Sequence, residues 1–208
     1  LICPVILIQV TRLKCGSFIF ALRVNHTMCD TIGLVQFLTA MGEIARGALV
    51  PSVLPVWQRE LLTARHPPRI TCTHHEYDQV PDTKSTIIPL DDMVHKSFFF
   101  GSKEVKNLRK LVPPQLQKCS TLELLTACIW RCRTIAISPG PEEEMRILFV
   151  VNARNRFSHP LPDGYYGNAF VFSAAISTAE SLCKKPLEYA LELVMKTKSN
   201  VTEEYVKS

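Results

Sequence analysis

From Ala48 to Leu90 the hydrophobic periodicity of this chain stops, and six prolines (Pro51, Pro55, Pro67, Pro68, Pro81 and Pro89) take its place. Proline fixes φ and removes an N–H, so neither a helix nor the interior strand of a sheet runs through such a stretch. In compact proteins a long irregular segment of this kind joins domains or borders a site. On either side of it strand-like and helix-like runs alternate. The sequence therefore predicts an α/β layered architecture in two halves: residues 1–50, a proline-rich crossover at 51–90, and residues 91–208.

In the first half, residues 5–11 and 17–25 read as two strands joined by a hairpin turn at Lys14-Cys15-Gly16. Phe18, Phe20, Leu22 and Val24 share one face of the second strand. From Leu34 the period changes from two to that of a helix, with Leu34, Phe37, Leu38, Met41, Ile44 and Ala45 recurring until Gly47 ends the run. In the second half, Met93–Phe100 reads as a strand and Ser102–Val112 as a helix with Lys103, Lys106, Arg109 and Lys110 on a basic face. Ser120-Thr121-Leu122-Glu123 is a capping box, opening a helix to about Ile135 with Leu124, Leu125, Cys128, Ile129 and Cys132 as core positions. Arg146–Asn152 is apolar enough for a buried strand. After the loop NRFSHPLPDGYYGN, a strand over 169–176 and a helix from about Pro186 to Lys207 complete the chain, with Pro186 in the helix's first turn.

At 208 residues and 47% hydrophobic content there is material for a sizeable core. No apolar run approaches the roughly 18 residues of a membrane span, and LICPVILIQV lacks the basic start and cleavage site of a signal peptide. A cytoplasmic protein without a membrane or nucleic-acid partner is expected, since the net charge of +5 is spread along the chain. A small polyanionic ligand remains compatible with that charge. The eight cysteines form no CxxC pair and read as scattered buried thiols in a reducing compartment. The Asn-x-Thr triplets at Asn25 and Asn200 read as chance matches, the first within a motif and the second on a helix. Cys72, His74, His75, Glu76 and Asp78 cluster in the crossover, but no second ligand pair at zinc spacing accompanies them. An exposed crossover loop is expected there, and no metal.

NHTMCD, residues 25–30, lies where the second strand gives way to the first helix. It places a histidine and an aspartate four positions apart. Asp30 is suited to cap the helix, and His26 could be an ordinary loop histidine held by a backbone carbonyl. Histidine, with an unperturbed pKa of about 6.5, is also suited to take a proton from a hydroxyl as that oxygen attacks a carbonyl. The carboxylate could orient the ring or anchor the turn elsewhere. HxxxD alone is too loose a pattern to decide between these readings.

Three blocks in order carry a resemblance: VNHTMCD at 24–30, STLELLTACIWRCR at 120–133 and VNARNRFSHPLPDGYYGNAF at 151–170. They resemble the BAHD family of plant CoA-dependent acyltransferases, and within it the alcohol acyltransferases and benzyl alcohol benzoyltransferases. The resemblance implies two similar α/β domains with a solvent channel between them, and a channel histidine, here His26, acting as general base. It implies that Asp30 points away from the channel and pairs with an arginine of the block Asn152–Arg156, Arg154 first and Arg156 second. A surface pair, worth about 0–1 kcal/mol, is the bland alternative. CoA contacts are implied at Lys118, Ser120 and Thr121. A helix N-terminus with hydroxyls and a lysine suits a phosphate on independent grounds, and the same residues suffice as a plain helix cap.

Several positions depart from the family pattern: Cys29, Thr31 where glycine is usual, and His159 where proline is common. The family's second signature, DFGWG, does not occur, so the resemblance implies a fold incomplete at both ends. The implied activity is transfer of an acetyl- or benzoyl-type group from acyl-CoA, a co-substrate rather than a bound cofactor, to a small alcohol, by a monomer. An amine or a bulky phenolic or terpenoid alcohol as acceptor, and a noncatalytic acyl-CoA binder, are the rival expectations.

Overall fold

The computed structural model describes residues 4–79 and 94–208. Two compact units are present. One gathers the chain up to Arg69 together with Asn152–Val171 and Lys207; the other comprises Ile70–Val151, Phe172–Val206 and Ser208.

In the first unit, β1 (Ile6–Arg12) and β2 (Phe18–Val24) form an antiparallel hairpin in which Ile6 faces Val24 and Arg12 faces Phe18. Gly16 in the connecting turn has φ +87°, a conformation that side chains rarely adopt. Phe20, Leu22 and Val24 are half-buried and their neighbours exposed, the alternation a one-sided strand requires. Helix α1 (Thr31–Ala45) follows, capped by Asp30. Among its predicted core residues Phe37, Leu38 and Ile44 are exposed, because none of the described elements covers that stripe.

The second unit holds the main core. Its elements are α2 (Ser102–Arg109), α3 (Thr121–Ile137), β3 (Glu144–Asn152), β4 (Phe170–Thr178), α4 (Ala179–Lys184), α5 (Leu187–Asn200) and α6 (Glu203–Lys207). Helix α3 packs on α4 and α5, and β3 pairs with β4. Leu124, Ala127, Trp130, Leu182, Leu191 and Val194 are almost fully enclosed, each burial contributing about 1.5–3 kcal/mol for the larger side chains.

Several expectations are corrected. The buried face of α3 runs through Leu124, Ala127, Trp130 and Thr134, whereas Ile129 and Cys132 are exposed. Ala127 is small enough to sit under close-packed neighbours, and Thr134 enters the core because its hydroxyl donates to the Trp130 carbonyl at 2.9 Å. Strand β3 is only half-buried, with Leu148 and Val150 about half exposed, since β4 is its one neighbour among the described residues. Residues 94–100 are irregular, and Phe98 and Phe99 are exposed; Met93 lies outside the described residues. An apolar run becomes a strand only where a ladder partner meets it. The last predicted helix is two, α5 and α6, parted at Val201-Thr202, and Pro186 is the cap of α5 rather than part of its first turn. Of the seven described cysteines, all free, only Cys119 is buried; Cys15 and Cys132 are exposed.

Candidate active site

Asp30 is 8% exposed and its carboxylate accepts five hydrogen bonds. Oδ1 takes the backbone N–H groups of Ile32 and Gly33, each at 3.1 Å, which caps α1. It also takes Nη2 of Arg154 at 2.8 Å, while Oδ2 takes Nη1 of Arg154 at 2.7 Å and the N–H of Ala169 at 3.1 Å. The guanidinium grips the carboxylate with two parallel bonds, the geometry for which arginine's rigid fork is suited. Arg154 donates further to the Gly167 carbonyl at 2.8 Å, so its own charge is well satisfied. Burial pushes the Asp30 pKa up, but the bonds from Arg154 and from the N–H groups of Ala169 and Gly33 outweigh it and hold the carboxyl below its ordinary value.

The turn before this cap closes through the Met28 N–H, which donates to the Asn25 carbonyl at 3.0 Å. The Asn25 side chain reinforces it by accepting from the Thr27 N–H at 3.0 Å and the Thr27 hydroxyl at 2.9 Å. His26 sits inside this turn. Its carbonyl accepts from Nδ2 of Asn168 at 2.7 Å, and its ring meets Phe170 edge-to-face, centroids 5.9 Å apart. His26 is exposed, and among the described residues no side chain hydrogen-bonds either ring nitrogen, so Phe170 holds the ring by its face or edge while both nitrogens stay open. Both oxygens of Asp30 are committed to other donors and neither touches the imidazole.

Two glycines let the backbone close around the site. A Cβ on Gly33 would lie 2.0 Å from the Tyr166 carbonyl oxygen, and one on Gly164, whose φ is +86°, would lie 2.0 Å from the Leu54 carbonyl oxygen. Any side chain at either position would force the loop DGYYGNAF away from α1 or from the Val53–Val56 segment. Met28, Cys29, Phe37, Val53 and Tyr166 help line an apolar cavity of about 380 Å³ in the same unit.

Lys118, Ser120 and Thr121 belong to the other unit. Ser120 caps α3 with both halves of the capping box formed: its hydroxyl accepts from the Glu123 N–H at 3.2 Å and its N–H donates to Glu123 at 2.7 Å. Lys118 is exposed. Arg109 of α2 folds over the same helix start, donating to the carbonyls of Gln117 and Cys119 at 2.7 Å each and to the Thr121 hydroxyl at 3.4 Å. Of the basic face predicted for α2, Arg109 is the residue that these hydrogen bonds fix at the α3 N-terminus, among the described residues.

The crossover cluster is not an exposed loop. Cys72, His74 and Glu76 turn inward by alternation, and both Glu76 oxygens accept from the Tyr205 hydroxyl at 2.7 Å while His74 Nδ1 lies 2.8 Å from one of them. Burial pushes the Glu76 pKa up, and the Tyr205 and His74 bonds bring it below the ordinary value. Burial, then the Glu76 contact, drives the Tyr205 phenol up to about 12. A buried carboxylate needs such donors, which is why the segment folds inward. His75 pairs instead with Asp78 at 2.7 Å, and among the described residues no three such groups converge on a metal position.

A family model described as the transferase family matches residues 2–208. The chain belongs to this family, the BAHD transferases. Over 206 residues it is 71% identical to the benzyl alcohol O-benzoyltransferase of Petunia hybrida, a match that takes in 99% of this chain and 45% of the relative. It is 57% identical over 211 residues to alcohol acyl transferase 2 of Malus domestica, taking in 99% of this chain and 46% of that one. The chain thus spans about half the length of the curated relatives it matches. Among solved structures, vinorine synthase superposes with a TM-score of 0.69 at 21% identity over 97% of this chain and 46% of that one. TRI101 of F. graminearum, solved with coenzyme A and deoxynivalenol, gives 0.63 at 17% identity over 98% and 48%. At such identities the structures speak for the fold, a mixed α/β acyltransferase fold.

The sequence reading did not single out Asn168, Phe170 and Arg59, which contact the turn carrying His26, or Tyr166, whose ring lies beside the Arg59 guanidinium. None has a spacing signal, because each is brought to its place by a chain path between distant segments that the sequence pattern does not encode.

Proposed function

We propose that the protein containing these residues transfers an acyl group from an acyl-CoA of acetyl or benzoyl type to a small alcohol, giving an ester and free CoA. The observation that carries this reading is 71% identity, over nearly the whole chain, to a benzyl alcohol O-benzoyltransferase. The geometry around His26 supports it. An exposed imidazole with both nitrogens open can take the hydroxyl proton as the alcohol oxygen attacks the thioester carbonyl. The tetrahedral oxyanion then collapses, expels the CoA thiolate and returns the proton through the same ring. Both substrates meet at one base, so a ternary complex forms and no protein group is acylated.

Asp30 serves a structural role, holding the turn to Arg154. Lys118, Ser120 and Thr121 receive a phosphate of CoA, the fixed charge of Arg109 adding positive potential there. Acyl-CoA is a co-substrate, and no permanent cofactor is required. The apolar cavity beside Met28 and Cys29 offers hydrocarbon surface of the kind that an aromatic or alkyl group needs. Residues 1–50 and 91–208 contribute to two domains joined by the 51–90 crossover, in a cytoplasmic monomer.

The test is to incubate the full natural chain with benzoyl-CoA or acetyl-CoA and a panel of small alcohols, phenols, terpenoid alcohols and amines, following thiol release and ester formation. Turnover with small alcohols is expected. Turnover confined to amines or bulky alcohols would replace the acceptor class, and binding of acyl-CoA without turnover by any acceptor would overturn the enzymatic reading.

A further inference from the structure

We infer that Arg59 is a positioning residue for the general base, acting through the backbone of the turn that carries His26; the inference rests on the reading of His26 as that base. Arg59 lies in the crossover, 33 positions along the chain from His26 by number, yet it is brought to the turn by local pairing. Val56 forms a parallel bridge with Tyr165 and its N–H donates to the Gly164 carbonyl at 2.9 Å, which registers the segment against the DGYYGNAF loop. A 3-10 turn over Arg59–Leu62 then points the guanidinium at residues 27 and 28. Nη1 donates to the Thr27 carbonyl at 3.3 Å and Nη2 to the Met28 carbonyl at 2.5 Å.

These are the two carbonyls immediately after His26, and the carbonyl of His26 itself is taken by Asn168. Three successive backbone acceptors of one turn are therefore held by side chains from two different loops. The guanidinium is fixed in turn by aromatic rings, its carbon 4.3 Å from the Trp57 ring centroid and 5.7 Å from that of Tyr166. Planar stacking on an aromatic face and a rigid fork aimed at two acceptors are properties of the guanidinium that a lysine ammonium does not reproduce. The arrangement fixes the peptide planes on the C-terminal side of His26 and, with them, the direction in which the imidazole leaves the backbone. A misplacement of the order of 1 Å at a reacting group can lower a rate about 100-fold.

The experiment uses the full natural chain, with Arg59→Met, Arg59→Lys and Arg59→Ala, each alone and Arg59→Met also combined with His26→Ala. The expected result for Arg59→Met is a fall in kcat of roughly 10- to 100-fold with KM for acyl-CoA within about twofold. Arg59→Lys should recover only part of the loss, and added methylguanidinium should restore Arg59→Ala in a dose-dependent way. On the His26→Ala background Arg59→Met should cost almost nothing further, since the group it positions is gone; a merely structural role would multiply the two losses. Independently of turnover, amide hydrogen exchange at Thr27 and Met28 should accelerate at least tenfold in Arg59→Met while amides in the middle of α1 are unchanged. Native kcat and native exchange in Arg59→Met would overturn the inference. If His26→Ala matched wild type while exchange at 27 and 28 still rose, the base reading would fail and the clamp would stand as structure alone.

Discussion

Replacing Asp30 separates two accounts of this residue by their dependence on what is put in its place. As a helix cap, aspartate is interchangeable with asparagine, and loss of the cap altogether costs about 0.5–2 kcal/mol. As the buried partner of Arg154 it is not interchangeable. Its carboxylate receives two N–H groups from α1, one from Ala169 and two from the guanidinium, and it offers no donor in return. An asparagine amide has one acceptor oxygen. If that oxygen faces Ile32 and Gly33, its NH₂ group faces the Ala169 N–H and Nη1 of Arg154, donor against donor. Asp30→Ala should cost about 3–5 kcal/mol, the range for stranding a buried charge, and Asp30→Asn should fall within about 1 kcal/mol of it. Isothermal urea denaturation measures both. A near-native Asp30→Asn would reduce Asp30 to a cap and refute the ion-pair account.

The same pair predicts a pH dependence with a definite sign. The folded-state pKa of Asp30 is depressed, so its stabilisation is complete above the ordinary carboxyl pKa and is lost as pH falls through the lower folded value. The acid limb of the stability curve should therefore flatten in Asp30→Asn. In a double-mutant cycle with Arg154→Met, the combined loss should be well short of the sum, by about 2–3 kcal/mol; additivity would mean that the two side chains do not support each other. Because neither oxygen reaches the imidazole, the pH profile of kcat should keep its shape in Asp30→Asn at temperatures where the variant is folded.

His26→Ala should lower turnover of the full natural chain by about two to four orders of magnitude with little change in CoA affinity, measured by initial rates and direct binding; a variant with most of its activity would remove the proposed base. Gly33→Ala should destabilise by about 1–3 kcal/mol in urea denaturation, since its methyl group would meet a backbone oxygen that cannot move alone. Cys15, exposed and lowered in pKa by the Ser17 N–H, should alkylate well before Cys128, raised to about 11 by burial and then by Cys132, at pH 8; mass spectrometry of partially labelled protein checks the order.

Elements whose pattern is local were legible in the sequence. The hairpin, the α1 start and the capping box at Ser120 each follow from residues within one turn of one another, and the structure places each within a residue or two of the reading. Errors arose where a partner decides. The run at 94–100 has strand composition but no ladder partner among the described residues, and α3 buries Ala127 and Thr134 because α4 and α5 meet it there. The crossover cluster looked polar and hence exposed; Tyr205, more than a hundred residues later in sequence, makes its burial affordable. The pairing of Asp30 with Arg154 was anticipated by resemblance, not by spacing, and Arg59 by neither.

The geometry also explains why four positions separate the two motif residues although they never touch. A capping carboxylate must stand immediately before the first helical turn, with one oxygen over the N–H groups of the second and third helical residues. That fixes Asp30. Its second oxygen then faces outward, where Arg154 and the Ala169 N–H meet it, and the helix start is tied to the 152–171 loop. Counting back from the cap, residues 25–28 close as one turn, and β2 ends at Val24. His26 occupies the second position of that turn, a corner from which a side chain projects away from the closing hydrogen bond. One residue nearer the cap would bring the imidazole round the corner, and two residues further would return it to the strand, where alternation chooses its face. The spacing is thus set by the length of one turn between a strand end and a helix cap. The aspartate holds that turn to the loop, and the histidine keeps its ring nitrogens open for the proton transfer proposed for it.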